Sequence, residues 1–204
     1  MREKEKTIVL KRKKVGKIYM NKKVLILSGS PRKGGNSDLL CDEFMRGALE
    51  SKNEVEKIFI RDKKIGYCNA CYYCTSNNGK CAVNDDMSEI IDKMQSADVI
   101  VMASPVYFYS IDAQMKAVID RCVARWRDIP DKEFYYIMTA AEDSKTVMDC
   151  TLECFRGFAC CLDNATEKGV ILGKGVYEKG EIKNTPAMKQ AYQMRLSAFC
   201  QTFL

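Results

Sequence analysis

The chain has 204 residues, 33 Lys and Arg against 27 Asp and Glu, eleven cysteines and no histidine. Without histidine there is no Ser-His-Asp or Cys-His nucleophile, and no His-ligated zinc, copper, iron or haem. Any metal must sit on sulfur or oxygen, and any proton transfer must use Asp, Glu, Lys, Tyr, Cys or a cofactor.

The formal charge of +6 has one location. Residues 1–20 hold eight basic and two acidic groups, which leaves 25 of each sign in residues 21–204. A charge run of this kind reads as a solvated extension rather than a nucleic-acid or membrane arm. Met20-Asn21-Lys22-Lys23-Val24 reads as a natural start. The expected organisation is a basic N-terminal extension over 1–20 and a single domain over 21–204. No apolar run approaches the roughly 20 residues that cross a bilayer. The N-terminus also lacks the apolar stretch of a secretory signal. The expected location is the cytoplasm, where thiols stay reduced, so the cysteines read as ligands, reactive thiols or small buried side chains.

From residue 23 the elements alternate. Lys23–Ser28 is a short apolar strand that ends in a Gly/Pro loop. Residues 36–51 carry Leu39, Leu40, Phe44 and Ala48 at helical spacing. Residues 54–60 alternate as a strand, and a cysteine-rich loop over 61–84 follows. Asp85 and Asp86 supply N-terminal carboxylates for a helix with Met87, Ile90, Ile91 and Met94 on one face. Residues 98–103 form a continuous apolar strand. Met115, Val118, Ile119, Cys122, Val123 and Trp126 then predict one long helix. Residues 134–140 are a strand. Met148, Leu152, Phe155, Ala159 and Leu162 mark a helix, residues 169–172 a strand, and Pro186 opens a last helix running through Met188, Ala191, Tyr192, Phe199 and Phe203. Alternation of this kind gives βαβ units and a three-layer, doubly wound parallel sheet. Ligands then sit beyond the carboxyl ends of the strands.

Two of those ends stand out. After the first strand the chain reads Ser28-Gly-Ser-Pro-Arg-Lys-Gly-Gly-Asn-Ser37. Its glycines allow close backbone approach, and the following helix offers free N–H groups and its dipole to an anion. Neither a Walker A loop nor a G-x-G-x-x-G fingerprint is present. A loop this short suits a phosphate monoester such as that of FMN. After the third strand come Ser104-Pro105-Val106-Tyr107-Phe108-Tyr109-Ser110, where aromatics and backbone groups could wall a flat ring.

Together, the G-S-P-R-K-G-G-N-S loop, the D-D-M before a helix, A-S-P-V-Y-F and K-A-V-I-D-R resemble the NAD(P)H-dependent FMN reductase branch of the flavodoxin-like superfamily. The resemblance covers residues 21–204. It implies a five-stranded parallel sheet in the order 2-1-3-4-5 and non-covalent FMN. By motif match, Ser30, Arg32, Asn36 and Ser37, with Gly35 in the same loop, would hold the phosphate. Pro105, Val106, Tyr107 and Phe108 would line the flavin, and the loop from Thr139 to Glu142 would flank it from the other side. A homodimer or homotetramer is implied by the same resemblance.

The cysteine loop reads Cys68-x2-Cys71-x2-Cys74-x6-Cys81. Four thiolates this close can each bind one iron of a cubane. The spacing resembles that of the iron–sulfur flavoproteins, which carry a 4Fe–4S cluster near FMN. Structural zinc and free thiols remain the competing readings. The other seven cysteines read as small buried side chains.

The function expected is an FMN-dependent oxidoreductase. It would take electrons from NAD(P)H or a ferredoxin-like donor and pass them to a small-molecule acceptor, with no nucleic-acid or membrane partner. No catalytic acid or base is assigned, because flavin carries the chemistry. A flavodoxin-type electron carrier and a zinc-stabilised binding module with a basic arm are the alternatives.

Overall fold

The computed structural model describes residues 21–197. The basic extension over 1–20, and Phe199 and Phe203 of the last expected helix, lie outside the described residues.

Strand β1 (Lys23–Ser28) is followed by helix α1 (Asn36–Glu50) and β2 (Glu54–Phe59). A single helical turn, α2 (Tyr73–Ser76), lies in the cysteine loop ahead of α3 (Met87–Ser96). The chain continues through β3 (Val99–Pro105), α4 (Ala113–Arg121), β4 (Glu133–Thr139), α5 (Asp149–Ala159), β5 (Thr166–Gly173) and α6 (Pro186–Ser197). All strand pairs are parallel, in the order β2-β1-β3-β4-β5. The fold is flavodoxin-like, as the motif resemblance implied.

The apolar runs are continuous because both faces of the inner strands are covered. Leu25, Leu27, Ile100, Met102, Phe134 and Tyr136 face a core shared with α3, α4 and α5. Val24, Ile26, Val99, Val101, Tyr135 and Ile137 face a core shared with α1 and α6. Each fully buried aliphatic side chain of this kind contributes about 1.5–3 kcal/mol of transfer free energy.

Three expectations need correction. The helix predicted through Trp126 stops at Arg121 and gives way to 3-10 turns at Cys122–Ala124 and Trp126–Asp128. There Arg125 reaches Asp92, Gln95 and Asp128 with its guanidinium, so this stretch is tied to α3 by side chains while Ile119 and Trp126 still pack on the core. Asp86 makes no side-chain cap to α3. Asp85 instead accepts the Met87 N–H at 3.1 Å, and Asp86 accepts that of Lys64 at 2.7 Å. Of the seven cysteines expected to be small buried side chains, Cys200 lies outside the described residues and most of the other six are not buried. Cys41 and Cys122 are, but Cys150, Cys160 and Cys161 are exposed and Cys154 is half-buried; of these, Cys154 and Cys161 border the cavity beside the cysteine loop.

The register aligns the strand ends. Ser28 pairs with Phe59 and Ala103, Pro105 with Thr139, and Thr139 with Gly173. The loops after β1, β3, β4 and β5 therefore lie side by side along one edge. Strand order reverses between β1 and β3, which makes that edge the place for a ligand.

Candidate functional site

The loop after β1 is built around two close approaches. A Cβ on Gly29 would come within 2.3 Å of Asp112 Oδ2 and 2.9 Å of Ala103 O, and the Gly29 N–H donates to Ala103 O at 2.8 Å. A Cβ on Gly35 would meet Arg32 O and Ser30 Oγ, both at 2.9 Å. Glycine at both positions lets the backbone fold back on itself at the switch point.

The five residues expected to hold a phosphate are brought together here, but their side chains do different things. The Ser30 hydroxyl accepts the Arg32 N–H at 3.2 Å and donates to Arg32 O at 3.0 Å, so it shapes the loop. The Asn36 carboxamide donates to Glu178 O and accepts the N–H groups of Gly180 and Ile182, so it ties the loop after β5 to the loop after β1. Arg32 is exposed, and its guanidinium lies 3.5 Å from Tyr177 O. Ser37 differs. Its side chain is 1% exposed and its Oγ has no hydrogen-bond partner. The first N–H groups of any helix lack intrahelical acceptors, and no side chain caps those of α1. A buried hydroxyl without a partner beside helix N-terminal N–H donors is chemistry that suits an anion.

Asp38, in the first turn of α1, does not spoil this. Its carboxylate accepts Ser28 Oγ–H at 2.9 Å and the Gly34 N–H at 2.8 Å, and Lys57 Nζ lies 2.5 Å from Oδ1. Sequence reasoning missed the contribution of the loop after β5. A Cβ on Gly34 would lie 3.6 Å from Lys179 Nζ, which brings another cation to the loop after β1. The signal was available, since Gly173-Lys-Gly-Val-Tyr-Glu-Lys-Gly180 also follows a strand.

The loop after β3 is a tight aromatic hairpin. Tyr107 and Ser110 exchange both backbone hydrogen bonds at 3.0 Å, and Phe108 and Tyr109 have φ of +49° and +62°. Two positive φ values at the centre of a two-residue turn are the type I′ geometry, normally met by Gly or Asn. Here two bulky aromatics adopt it, which stores strain and leaves Phe108 99% exposed. The Val106 N–H donates to Thr139 O at 2.8 Å, so Pro105, Val106 and Thr139 form one floor. Glu142 is exposed on the adjoining loop.

Below the hairpin, Asp112 caps α4 and accepts the Met115 N–H at 3.0 Å. Its other oxygen is buried without a partner. Burial pushes this carboxyl up to about 6, against the pull of its bonds to Ser104 and Met115.

The cysteine loop forms a second centre. Cys68, Cys71, Cys74 and Cys81 all border one largely apolar cavity of about 780 Å³. Its opposite wall is made by α4, the turn at Trp126, α5 with Cys154, and Cys161 just beyond α5. Among the described residues no group of three or more cysteine, aspartate or glutamate side chains is gathered closely enough to hold a single metal ion. The four thiols border a void instead of meeting at a point. Turns with positive φ at Ala70, Tyr72, Asn78 and Gly79 fold the loop. Gly79 is required there, because a Cβ would lie 2.5 Å from Arg125 Cγ and 3.1 Å from Ala124 O.

The neck of the loop is closed by Arg121. Its guanidinium is 2% exposed and pairs with both oxygens of Asp85, at 2.6 and 3.0 Å. It also donates to Gly66 O at 2.8 Å and to Cys81 Sγ at 3.4 Å. Asp85 further accepts the Gly66 N–H at 2.7 Å. The Arg121 bond and these backbone N–H groups hold the Asp85 carboxyl below its ordinary value despite burial.

Fold and loops together define a flavodoxin-like α/β protein with a glycine-rich turn leading into an uncapped helix at the strand-order switch. The sequence model of the NADPH-dependent FMN reductase family matches residues 22–147, and the chain belongs to that family. It is 43% identical over 99 residues to an iron–sulfur flavoprotein of Methanocaldococcus jannaschii, covering 48% of this chain and 51% of that one. It is 41% identical over 99 residues to an iron–sulfur flavoprotein of Archaeoglobus fulgidus, covering 48% and 44%. These matches span about half the length of the relatives. Among solved structures, an NAD(P)H:quinone oxidoreductase from Methanothermobacter marburgensis superposes with a TM-score of 0.68 at 15% identity, over 90% of this chain and 100% of that one. At that identity the likeness concerns the fold. No helix among the described residues is long and apolar enough to cross a membrane.

Proposed function

We propose that the protein is an FMN-dependent oxidoreductase that takes electrons from NAD(P)H or a ferredoxin-like donor and passes them to a small-molecule acceptor. The observation that carries this reading is the buried, partnerless Ser37 Oγ at the uncapped start of α1. It needs an anionic acceptor, and a phosphate monoester supplies one. Ser37 and the backbone N–H groups of Asn36 and Ser37 would hold the phosphate, with Gly35 allowing close backbone approach, Arg32 and Lys179 adding charge and Ser30 and Asn36 keeping the loop in shape. Pro105, Val106, Tyr107 and Phe108 would line the isoalloxazine on one side and Thr139 and Glu142 on the other. Bound there, FMN supplies hydride and single-electron chemistry at its ring. The chain's own residues bind, orient and shield it.

The four loop cysteines would hold a 4Fe–4S cluster. Cubane ligation places each thiolate on a different iron, so thiols bordering a void suit it better than they suit one tetrahedral zinc. The relatives named as iron–sulfur flavoproteins support the same reading. A homo-oligomer, a cytoplasmic location and a single domain over 21–204 with an appended basic segment complete the proposal.

Titration of apo-protein with FMN and with riboflavin tests it. FMN should bind at least tenfold more tightly, because riboflavin lacks the phosphate. Equal affinity, or no binding of either, refutes the phosphate cradle. Stopped-flow reduction by NAD(P)H and by reduced ferredoxin then separates an enzyme fed by pyridine nucleotide from a pure electron carrier.

A further inference from the structure

Among the described residues, Arg121 is the one buried guanidinium in contact with a cysteine of the loop. It donates to Cys81 Sγ at 3.4 Å, borders the cavity, and carries a buried Nε that has no hydrogen-bond partner. Its charge is offset by a two-point pair with Asp85. The same pair binds both ends of the loop, at Gly66 and at Val83 to Asp85. One thiol is therefore in direct contact with a fixed cation, and that cation is itself paired with a fixed anion.

We infer that Arg121 is a positioning and tuning residue for the cysteine centre, with Asp85 as its counterweight. This rests on the reading of the four cysteines as cluster ligands. Hydrogen bonds to ligand sulfur and nearby net charge set the potential of such clusters. A guanidinium on Cys81 stabilises the more negative, reduced state and raises the potential. A carboxylate behind it partly cancels that effect.

The signs make this separable from a structural role. Removing the cation (R121Q) should lower the potential. Removing the anion (D85N) should raise it, because the guanidinium stays and is no longer neutralised. Loosening of the loop alone gives no reason for opposite shifts. Wild type, R121Q, R121K and D85N are reconstituted anaerobically with iron and sulfide and analysed for both. Their potentials are read by EPR-monitored redox titration, with FMN binding as the check on folding. R121K, which keeps the charge, should lie between wild type and R121Q. Loaded variants with the wild-type potential, or with shifts of the same sign, overturn the inference alone. A wild type that takes up no iron or sulfide overturns the cluster reading and this inference with it. If R121Q fails to load, D85N decides, since an unchanged or lowered potential is then the refuting result.

Discussion

Asp112 turns a structural detail at the switch point into a measurable pH dependence. It is 1% exposed, its Oδ1 caps α4, and its Oδ2 lies buried without a partner against Gly29. Its carboxyl is pushed from 3.8 up to about 6, chiefly by burial. The folded state thus keeps this proton to higher pH than the unfolded chain. Stability contributed by the neutral form is full below pH 3.8 and declines as pH rises toward 6. Above that the ionised group destabilises the fold by about 3 kcal/mol, because each tenfold change in proton affinity is worth about 1.4 kcal/mol. Asparagine keeps the capping oxygen and removes the charge. D112N should gain on wild type as pH rises, by about 2 kcal/mol between about pH 4.5 and 8. Any penalty from the new amide N–H is the same at every pH and drops out of that difference. Urea denaturation of both apo-proteins across this range measures it. A stability difference that stays flat with pH, or one that shrinks as pH rises, would refute the assignment of a buried, strained carboxyl.

Four further outcomes follow from the two centres. S37A should weaken FMN binding about tenfold, the loss of one charge-assisted hydrogen bond, while leaving apo-protein stability unchanged or higher; an unchanged affinity by fluorescence titration speaks against the cradle. G29A places a Cβ within 2.3 Å of Asp112 Oδ2 and should lower stability by ~2 kcal/mol or more, read from the urea midpoint. F108G relieves a positive-φ position on an exposed ring, so it should raise apo-protein stability by up to ~1 kcal/mol yet weaken flavin binding; thermal melts with and without FMN resolve the two effects. Serine at Cys68, Cys71, Cys74 or Cys81 should abolish stable iron and sulfide uptake, whereas C154S and C161S should retain it; elemental analysis after anaerobic reconstitution distinguishes the sets.

The fold was largely legible in the amino-acid sequence. Continuous apolar runs at Val24–Leu27 and Val99–Ala103 demanded two covered faces, and helical stripes between strands left few topologies open. Local chemistry also marked the loops after β1 and β3, since glycine and aromatic residues at strand ends have few other uses. Individual side-chain roles were not legible. Ser30 and Asn36 looked like phosphate ligands by type, and only the packed loops show their polar atoms committed to Arg32 and to residues 178–182. Arg121 looked like one more helix residue, yet it reaches Gly66, 55 positions earlier. Cys154 and Cys161 looked like core and face the cysteine cavity. Periodicity records the preference and burial of each residue along its own element. Which polar atoms meet across tens of positions is decided by how those elements pack, and that only the tertiary structure could settle.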